Sequence, residues 1–217
     1  MSMVLILTLG FDERFCYRAL LRHDVREGDR ILIFTGKLVE RTEKAYKMIE
    51  EFIRKSYGNR VAVDLVELDP TNPIRSIELV IRTLKSLPDV KWIVNLSGGM
   101  RFVVLTVIFS LLMIRKGNIQ LEVETEDLSG LVTIPPAILT LVTQGMTKEK
   151  VRVLEMISGG LTDVKSIASK LGKSRSTVRK QLQHMQELGL VRVRRRKPLE
   201  VEVTELGRLV LELEEVL

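Results

Sequence analysis

Cysteine and histidine are nearly absent. The single cysteine, Cys16, has no partner for an intramolecular disulfide, and with only two histidines no zinc set can be assembled. No metal site is expected. Long apolar runs are also missing. The longest, residues 102–114, spans 13 residues, well short of the roughly 20 that a bilayer needs. The N-terminal MSMVLILTLGFDERF is apolar but lacks a basic leader and an A-x-A cleavage site, so it reads as a first strand and not a signal peptide. A cytoplasmic protein with no membrane partner is expected. Asparagine and glutamine are scarce, 4 and 5 residues beside many Lys, Arg and Glu, a composition that leans towards thermophile proteins. No G-x-G-x-x-G follows the first apolar run and no G-x-x-x-x-G-K-[ST] occurs anywhere. Both absences argue against nicotinamide redox chemistry and NTP hydrolysis.

What is present suffices for a core. Hydrophobic residues make up 45% of 217, enough for one large or two modest domains. Charge is unevenly placed. Residues 1–143 hold 19 Lys and Arg against 18 acids, whereas residues 144–217 hold 15 against 10. Residues 173–197 concentrate the excess, with nine basic residues and one acid, Glu187. A basic patch on a small unit is the footprint of a polyanion binder; the alternative is a solvated face.

Two grammars divide the chain. In the first half, runs rich in Val, Ile and Leu at 4–9, 30–34, 61–67 and 91–95 predict parallel strands covered on both faces. Residues 38–57 and 74–87 carry helical periodicity between them, and 101–115 is apolar nearly all round, which predicts a buried helix. Two further strands are expected at 119–124 and 131–134. Strand and helix alternate, so the fold class is α/β, a Rossmann-like doubly wound, mainly parallel sheet. Pro135-Pro136 ends that pattern. The first domain is therefore 1–134, residues 135–146 are a linker with Gln144-Gly145 as its hinge, and 147–217 is a second domain.

The second domain reads as a winged helix-turn-helix. Helices are expected at 147–157, 164–171 and 174–188, capped by Thr147, by Asp163 or Thr162, and by Ser174, and stopped by Gly159-Gly160, Gly172 and Gly189. Strands at 190–194 and 199–204 flank Arg195-Arg196-Lys197-Pro198, and a helix at 205–217 closes the chain. Val178 and Leu182 point inward, leaving Lys173, Ser174, Arg175, Ser176, Thr177, Arg179, Lys180 and Gln183 for the major groove and its phosphates. Arg194, Arg195, Arg196 and Lys197 form the wing. Double-stranded DNA is the expected partner. Ile167, Ala168, Leu171, Ser174, Thr177, Val178, Leu182, Leu188, Gly189, Leu190 and Val191 fall in the pattern of prokaryotic winged-helix regulators, which this segment resembles. The stripe Leu206, Leu209, Val210, Leu213 and Val216 suits either packing on its own domain or a two-fold contact.

Doubly wound sheets bind ligands where strand order reverses, in the common order between the first and fourth strands. The loops there are Gly10-Phe11-Asp12-Glu13-Arg14 and Asn95-Leu96-Ser97-Gly98-Gly99-Met100-Arg101. Gly98 and Gly99 leave backbone N–H groups open to a ligand at a helix start, and Arg101 is a cation where the helix dipole prefers an anion. The bland reading is an ordinary flexible cap.

These two loops resemble the signature loops of CARF domains, the CRISPR-associated Rossmann-like sensors, whose second loop runs N-x-[ST]-G-G-[TM]-[KR]. Followed by a winged helix, the whole chain is similar to the archaeal CARF–winged-helix regulators of CRISPR loci. That resemblance implies a homodimer with one symmetric pocket for a cyclic oligoadenylate, the tetra-adenylate ring, and DNA binding modulated by that messenger in antiviral defence. No cofactor and no enzymatic activity are expected. Gly10, Phe11 and Asp12 would line the pocket near base or ribose; Ser97, Gly98, Gly99 and Arg101 would hold phosphate and 2′-oxygen groups, with Asn95 a further ligand-binding residue of the matched loop. From geometry alone, Thr35, Gly36 and Arg14 are expected neighbours. Two other functions stay open: a ring nuclease that cleaves the cyclic ligand, and an adaptor for CRISPR machinery.

Overall fold

The computed structural model describes residues 2–114, 116–196 and 199–216, without the side chains of Asn59, Gln144 and residues 214–216. Two compact units form, Met1–Thr143 and Gln144–Leu217.

The first unit is built on a six-stranded sheet of order β3-β2-β1-β4-β5-β6. In chain order the strands are β1 (Met3–Leu9), β2 (Arg30–Thr35), β3 (Ala62–Glu67), β4 (Lys91–Asn95), β5 (Ile119–Glu124) and β6 (Leu131–Ile134). The first five are parallel and β6 returns antiparallel, Val123 facing Val132. The helices are α1 (Arg14–Arg22), α2 (Glu40–Tyr57), α3 (Pro73–Lys85), α4 (Arg101–Ile114) and α5 (Pro136–Gln144). Strand side chains alternate between two cores. Leu5, Leu7, Ile31 and Ile33 meet α1 and α2, while Val4, Ile6, Leu32 and Phe34 meet α3 and α4. That double coverage is why β1 and β2 carry uninterrupted apolar runs. Trp92 belongs to the α3/α4 core and donates its indole N–H to the Pro88 carbonyl at 3.1 Å. Cys16 is buried in the other core, which pushes its thiol up to about 12. It acts as a small apolar side chain.

Two expectations need correction. β3 is an edge strand and none of its residues is fully buried; among the described residues no strand pairs with its outer side. Helix α4 is not buried all round: Leu105, Phe109 and Met113 are 51, 49 and 60% exposed. They repeat every four residues on the face turned away from the sheet. The expected linker begins as helix α5, whose Leu139 packs on the α3/α4 core, and Gly145 follows at φ +65°.

The second unit comprises α6 (Lys148–Ser158), α7 (Val164–Leu171), α8 (Arg175–Glu187), β7 (Val191–Arg196), β8 (Leu199–Val203) and α9 (Glu205–Val216). Thr147, Asp163 and Ser174 cap their helices, accepting from the backbone N–H of Lys150, Ser166 and Thr177 at 3.4, 2.9 and 3.2 Å. Gly172 adopts the left-handed conformation that ends α7. Val151, Leu154, Ile167, Val178, Leu182 and Val210 share the buried set. Of the α9 stripe, Val210 is buried, Leu209 and Leu213 are exposed, and the Val216 side chain lies outside the described residues. α9 starts against the backbone of residue 190. A Cβ on Gly207 would stand 2.3 Å from the Leu190 carbonyl oxygen, so only glycine fits there.

Candidate functional site

The β1–α1 and β4–α4 crossovers leave neighbouring strands in opposite directions, and the space between them is open. Their glycines fix how closely they approach. A Cβ on Gly98 would lie 2.5 Å from the Thr8 carbonyl oxygen, and one on Gly10 would lie 3.0 Å from the Gly99 Cα. Gly99 also has φ +92°, a conformation costly for other residues. The Thr8 hydroxyl donates to the Gly98 carbonyl at 2.5 Å and the Thr35 hydroxyl to the Leu9 carbonyl at 3.0 Å. The two loops are thus seated backbone on backbone, a role for the glycines beyond exposing N–H groups to a ligand.

Above this floor lies a cleft of about 600 Å³, within the usual range for ligand sites. Gly10, Phe11, Asp12, Ser97, Gly98 and Gly99 line it. Arg101 is exposed at the start of α4 and Asn95 lies behind the floor, 2% exposed; neither lines the cleft. Asn95 accepts the Ser97 N–H at 3.2 Å, and its amide nitrogen has no partner among the described residues. The Ser97 hydroxyl accepts the Glu124 N–H at 2.8 Å, tying the loop to β5. Asp12 is not a bare acid. Arg14 grips both its oxygens at 2.6–3.0 Å, and those hydrogen bonds hold the carboxyl below the ordinary carboxylate range.

Further residues complete the walls: Thr35 and Gly36, which the sequence places near the site, and Lys37, Met100 and Glu126, which were not foreseen. Thr35, Gly36 and Lys37 enter from the end of β2, Met100 lies over Gly36, and Glu126 enters from the β5–β6 turn. Phe15, Val39 and Pro70 add apolar surface. Phe11 is half-exposed, with the Arg41 guanidinium 4.8 Å from its ring centre. The Thr35-Gly36 pair beside the reversal point was a usable signal for Lys37; nothing in the local sequence announces Glu126.

On the far side of β5, Glu122 and Glu124 are buried among Arg18, Arg22 and His23 of the α1 region. His23 Nε2 sits 2.9 Å from Glu122 and Arg22 Nη2 2.7 Å from Glu124. Burial raises the Glu122 pKa, but His23, Gln120 and Arg22 outweigh it and leave the carboxyl below 4.5. His23 is therefore a satisfied polar residue.

In the second unit, α8 turns Val178, Leu182 and Met185 inward and leaves Arg175, Ser176, Thr177, Arg179, Lys180 and Gln183 exposed. Ser174 serves as the cap, so its hydroxyl is already engaged. Lys173 pairs with Glu149 at 2.6 Å and Gln183 donates to Glu187 at 3.2 Å. In the wing, Arg195 faces Glu200 at 3.9 Å and Arg192 pairs with Glu202. A register shift between Val193 and Arg195 makes Arg194 a bulge. Arg194 and Arg196 are exposed with no ion pair among the described residues; Lys197 lies outside them. Among the described residues no cluster suits a metal ion, and no helix is long and apolar enough to cross a membrane.

Comparison with known proteins agrees with both units. Residues 3–135 match the family model of the Csa3 CRISPR-associated Rossmann-like domain, and residues 147–193 match that of the bacterial regulatory proteins of the arsR family. No curated protein matches the chain significantly. Two point mutants of RuvB from Thermotoga maritima are similar at 15% identity and a TM-score of 0.28, over 96–97% of this chain and 78–79% of theirs. A likeness that loose carries no argument. The matched Rossmann-like domain covers more than half of the sequence and is followed by a helix-turn-helix of a DNA-binding type, so the chain belongs to the family of Csa3 CRISPR-associated regulators.

Proposed function

We propose that the protein is a ligand-responsive transcription regulator of CRISPR defence whose first unit senses a cyclic oligoadenylate, the tetra-adenylate ring, and whose second unit binds double-stranded DNA. The observation that carries this reading is the pairing of one cleft, lined by both reversal-point loops, with a separate unit that exposes Arg175, Arg179, Lys180, Arg194 and Arg196. Phe11, Phe15, Val39 and Met100 provide surface for bases. Lys37 and the N–H groups of the Gly98-Gly99 loop are the groups for phosphate in the cleft, with Arg101 outside its lining at the exposed start of α4. Asn95 braces the loop from below.

A homodimer belongs to the same reading. The stripe Leu105, Phe109 and Met113 begins one turn beyond Arg101, beside the cleft, and stays open in the single chain. A second copy covering it two-fold would set two clefts side by side around one ring. Ligand and operator are then coupled through the arrangement of the two protomers.

The test is a fluorescence-anisotropy titration of a labelled CRISPR-locus promoter with and without cyclic tetra-adenylate. The midpoint is expected to move by about 5- to 150-fold, the usual reach of such coupling. Superimposable curves would reject the coupling.

A further inference from the structure

A cleft for a phosphodiester ring has reason to avoid carboxylates, since an acid beside a phosphate repels it. Two carboxylates line this one. Asp12 is neutralised by Arg14 at 2.6 Å. Glu126 is different: it is exposed and has no ion pair or side-chain hydrogen bond among the described residues. It is also held in place. The turn that carries it closes on itself, with Gly130 N–H donating to the Thr125 hydroxyl at 2.9 Å, Thr125 N–H to the Gly130 carbonyl at 3.0 Å, and Ser129 to Asp127 through both its N–H and its hydroxyl. Arg18 straps the turn to α1 by donating to the Leu128 carbonyl at 3.2 Å.

An ionised carboxylate only accepts hydrogen bonds. Its presence in an anion site is rewarded only if the ligand brings a donor to it. Phe11, Phe15, Val39 and Met100 line the same cleft as Glu126, and the Arg41 guanidinium lies over the Phe11 ring, surroundings that suit a flat base. The donor on the edge of adenine is its exocyclic 6-amino group. We infer that Glu126 is a specificity-determining residue that accepts a hydrogen bond from the 6-amino group of an adenine lying against Phe11, so that the cleft selects amine-bearing rings. The inference rests on the proposed cyclic oligoadenylate site and names what that site reads.

A cycle between protein and ligand tests it. Cyclic tetra-adenylate and the same ring built from purine riboside, which lacks the 6-amino group, are titrated by calorimetry into the wild-type chain and into Glu126→Ala. Glu126→Gln, which keeps an acceptor, is measured in parallel. Thermal melts check that the exposed substitutions leave the fold intact. Loss of the amine is expected to weaken wild-type binding about tenfold or more, the effect of one hydrogen bond to a charged group. It is expected to cost Glu126→Ala less than twofold, with Glu126→Gln in between. The amine-free ring is expected to bind Glu126→Ala more tightly than wild type, because repulsion is relieved. Equal losses in wild type and Glu126→Ala would overturn the inference. So would a coupling that appears with a 2′-O-methyl ring in place of the amine-free one, since Glu126 would then read ribose. If cyclic tetra-adenylate itself gives no heat with wild type, the proposed ligand fails, and that blank is distinct from binding without discrimination.

Discussion

Phe109→Glu is the substitution with the clearest arithmetic. Phe109 is 49% exposed in the single chain, so a glutamate there meets water and the fold tolerates it. In a two-fold assembly through α4 the same position is covered in both copies. Full burial of a large apolar side chain is worth about 1.5–3 kcal/mol, and roughly half of that remains to be gained here. Two copies therefore lose about 1.5–3 kcal/mol of burial. Each buried, unpaired carboxylate adds a penalty of several kcal/mol unless it takes up a proton. The total is on the order of 5 kcal/mol or more, which weakens association by more than about a thousandfold. Sedimentation velocity at micromolar concentration is expected to show a dimer for the wild type and a monomer for Phe109→Glu, with unchanged far-ultraviolet circular dichroism. A variant that sediments like the wild type would refute the placement of the interface on α4, and a monomeric wild type would refute the dimer.

Other outcomes follow from single contacts. Gly98→Ala places a methyl 2.5 Å from the Thr8 carbonyl oxygen and is expected to cost about 1–3 kcal/mol or more, since backbone and not a flexible side chain must yield; a lower urea midpoint checks it. Gly207→Ala, at 2.3 Å from the Leu190 carbonyl, is expected to loosen the second unit in the same way. Removing one partner of a buried ion pair costs about 3–5 kcal/mol. Glu122→Gln should fall near the lower end, because its arginine partner is partly exposed. The sign with pH is fixed by the depressed pKa of Glu122. Its contribution is present above its ordinary value of 4.5 and fades as pH falls through the lower folded value. The gap between wild type and Glu122→Gln should therefore be full at pH 7 and narrow below pH 4.5 in urea melts. A constant gap would contradict this. Arg175→Ala and Arg179→Ala are each expected to weaken promoter binding and, where the side chain neutralises a phosphate, to lower the slope of log affinity against log salt by about 1. An unchanged slope in both would remove α8 from the DNA interface.

The sequence made some of this readable and hid the rest for identifiable reasons. Strands β1, β2 and β4 announce themselves because burial on both faces demands unbroken Val, Ile and Leu. The caps Thr147, Asp163 and Ser174 and the stop at Gly172 act locally, so local reading finds them. The reversal point follows from topology, and six of the eight ligand residues named from the sequence do line the cleft. Asn95 and Arg101 do not, because alternation along β4 buries the first and the start of α4 turns the second to solvent. Glu126 was out of reach, since its position depends on how β5 and β6 turn beside β4, a pairing distant in sequence. The buried acids of β5 were hidden likewise: IQLEVE reads as an ordinary alternating strand until α1 supplies its arginines from a hundred residues away. Helix α4 misled by the opposite route, its apolar far side being indistinguishable from a core face in a single chain.

The seating of Gly10 on Gly99 and of Gly98 on Thr8 has a mechanical corollary. With the two turns seated on each other and on Thr8 at backbone contact distance, little room is left between them, and the floor of the cleft is expected to be stiff. If a ligand occupies the cleft, the parts free to give are at the rim, Met100, Lys37 and the strapped hairpin of β5 and β6, next to the start of α4.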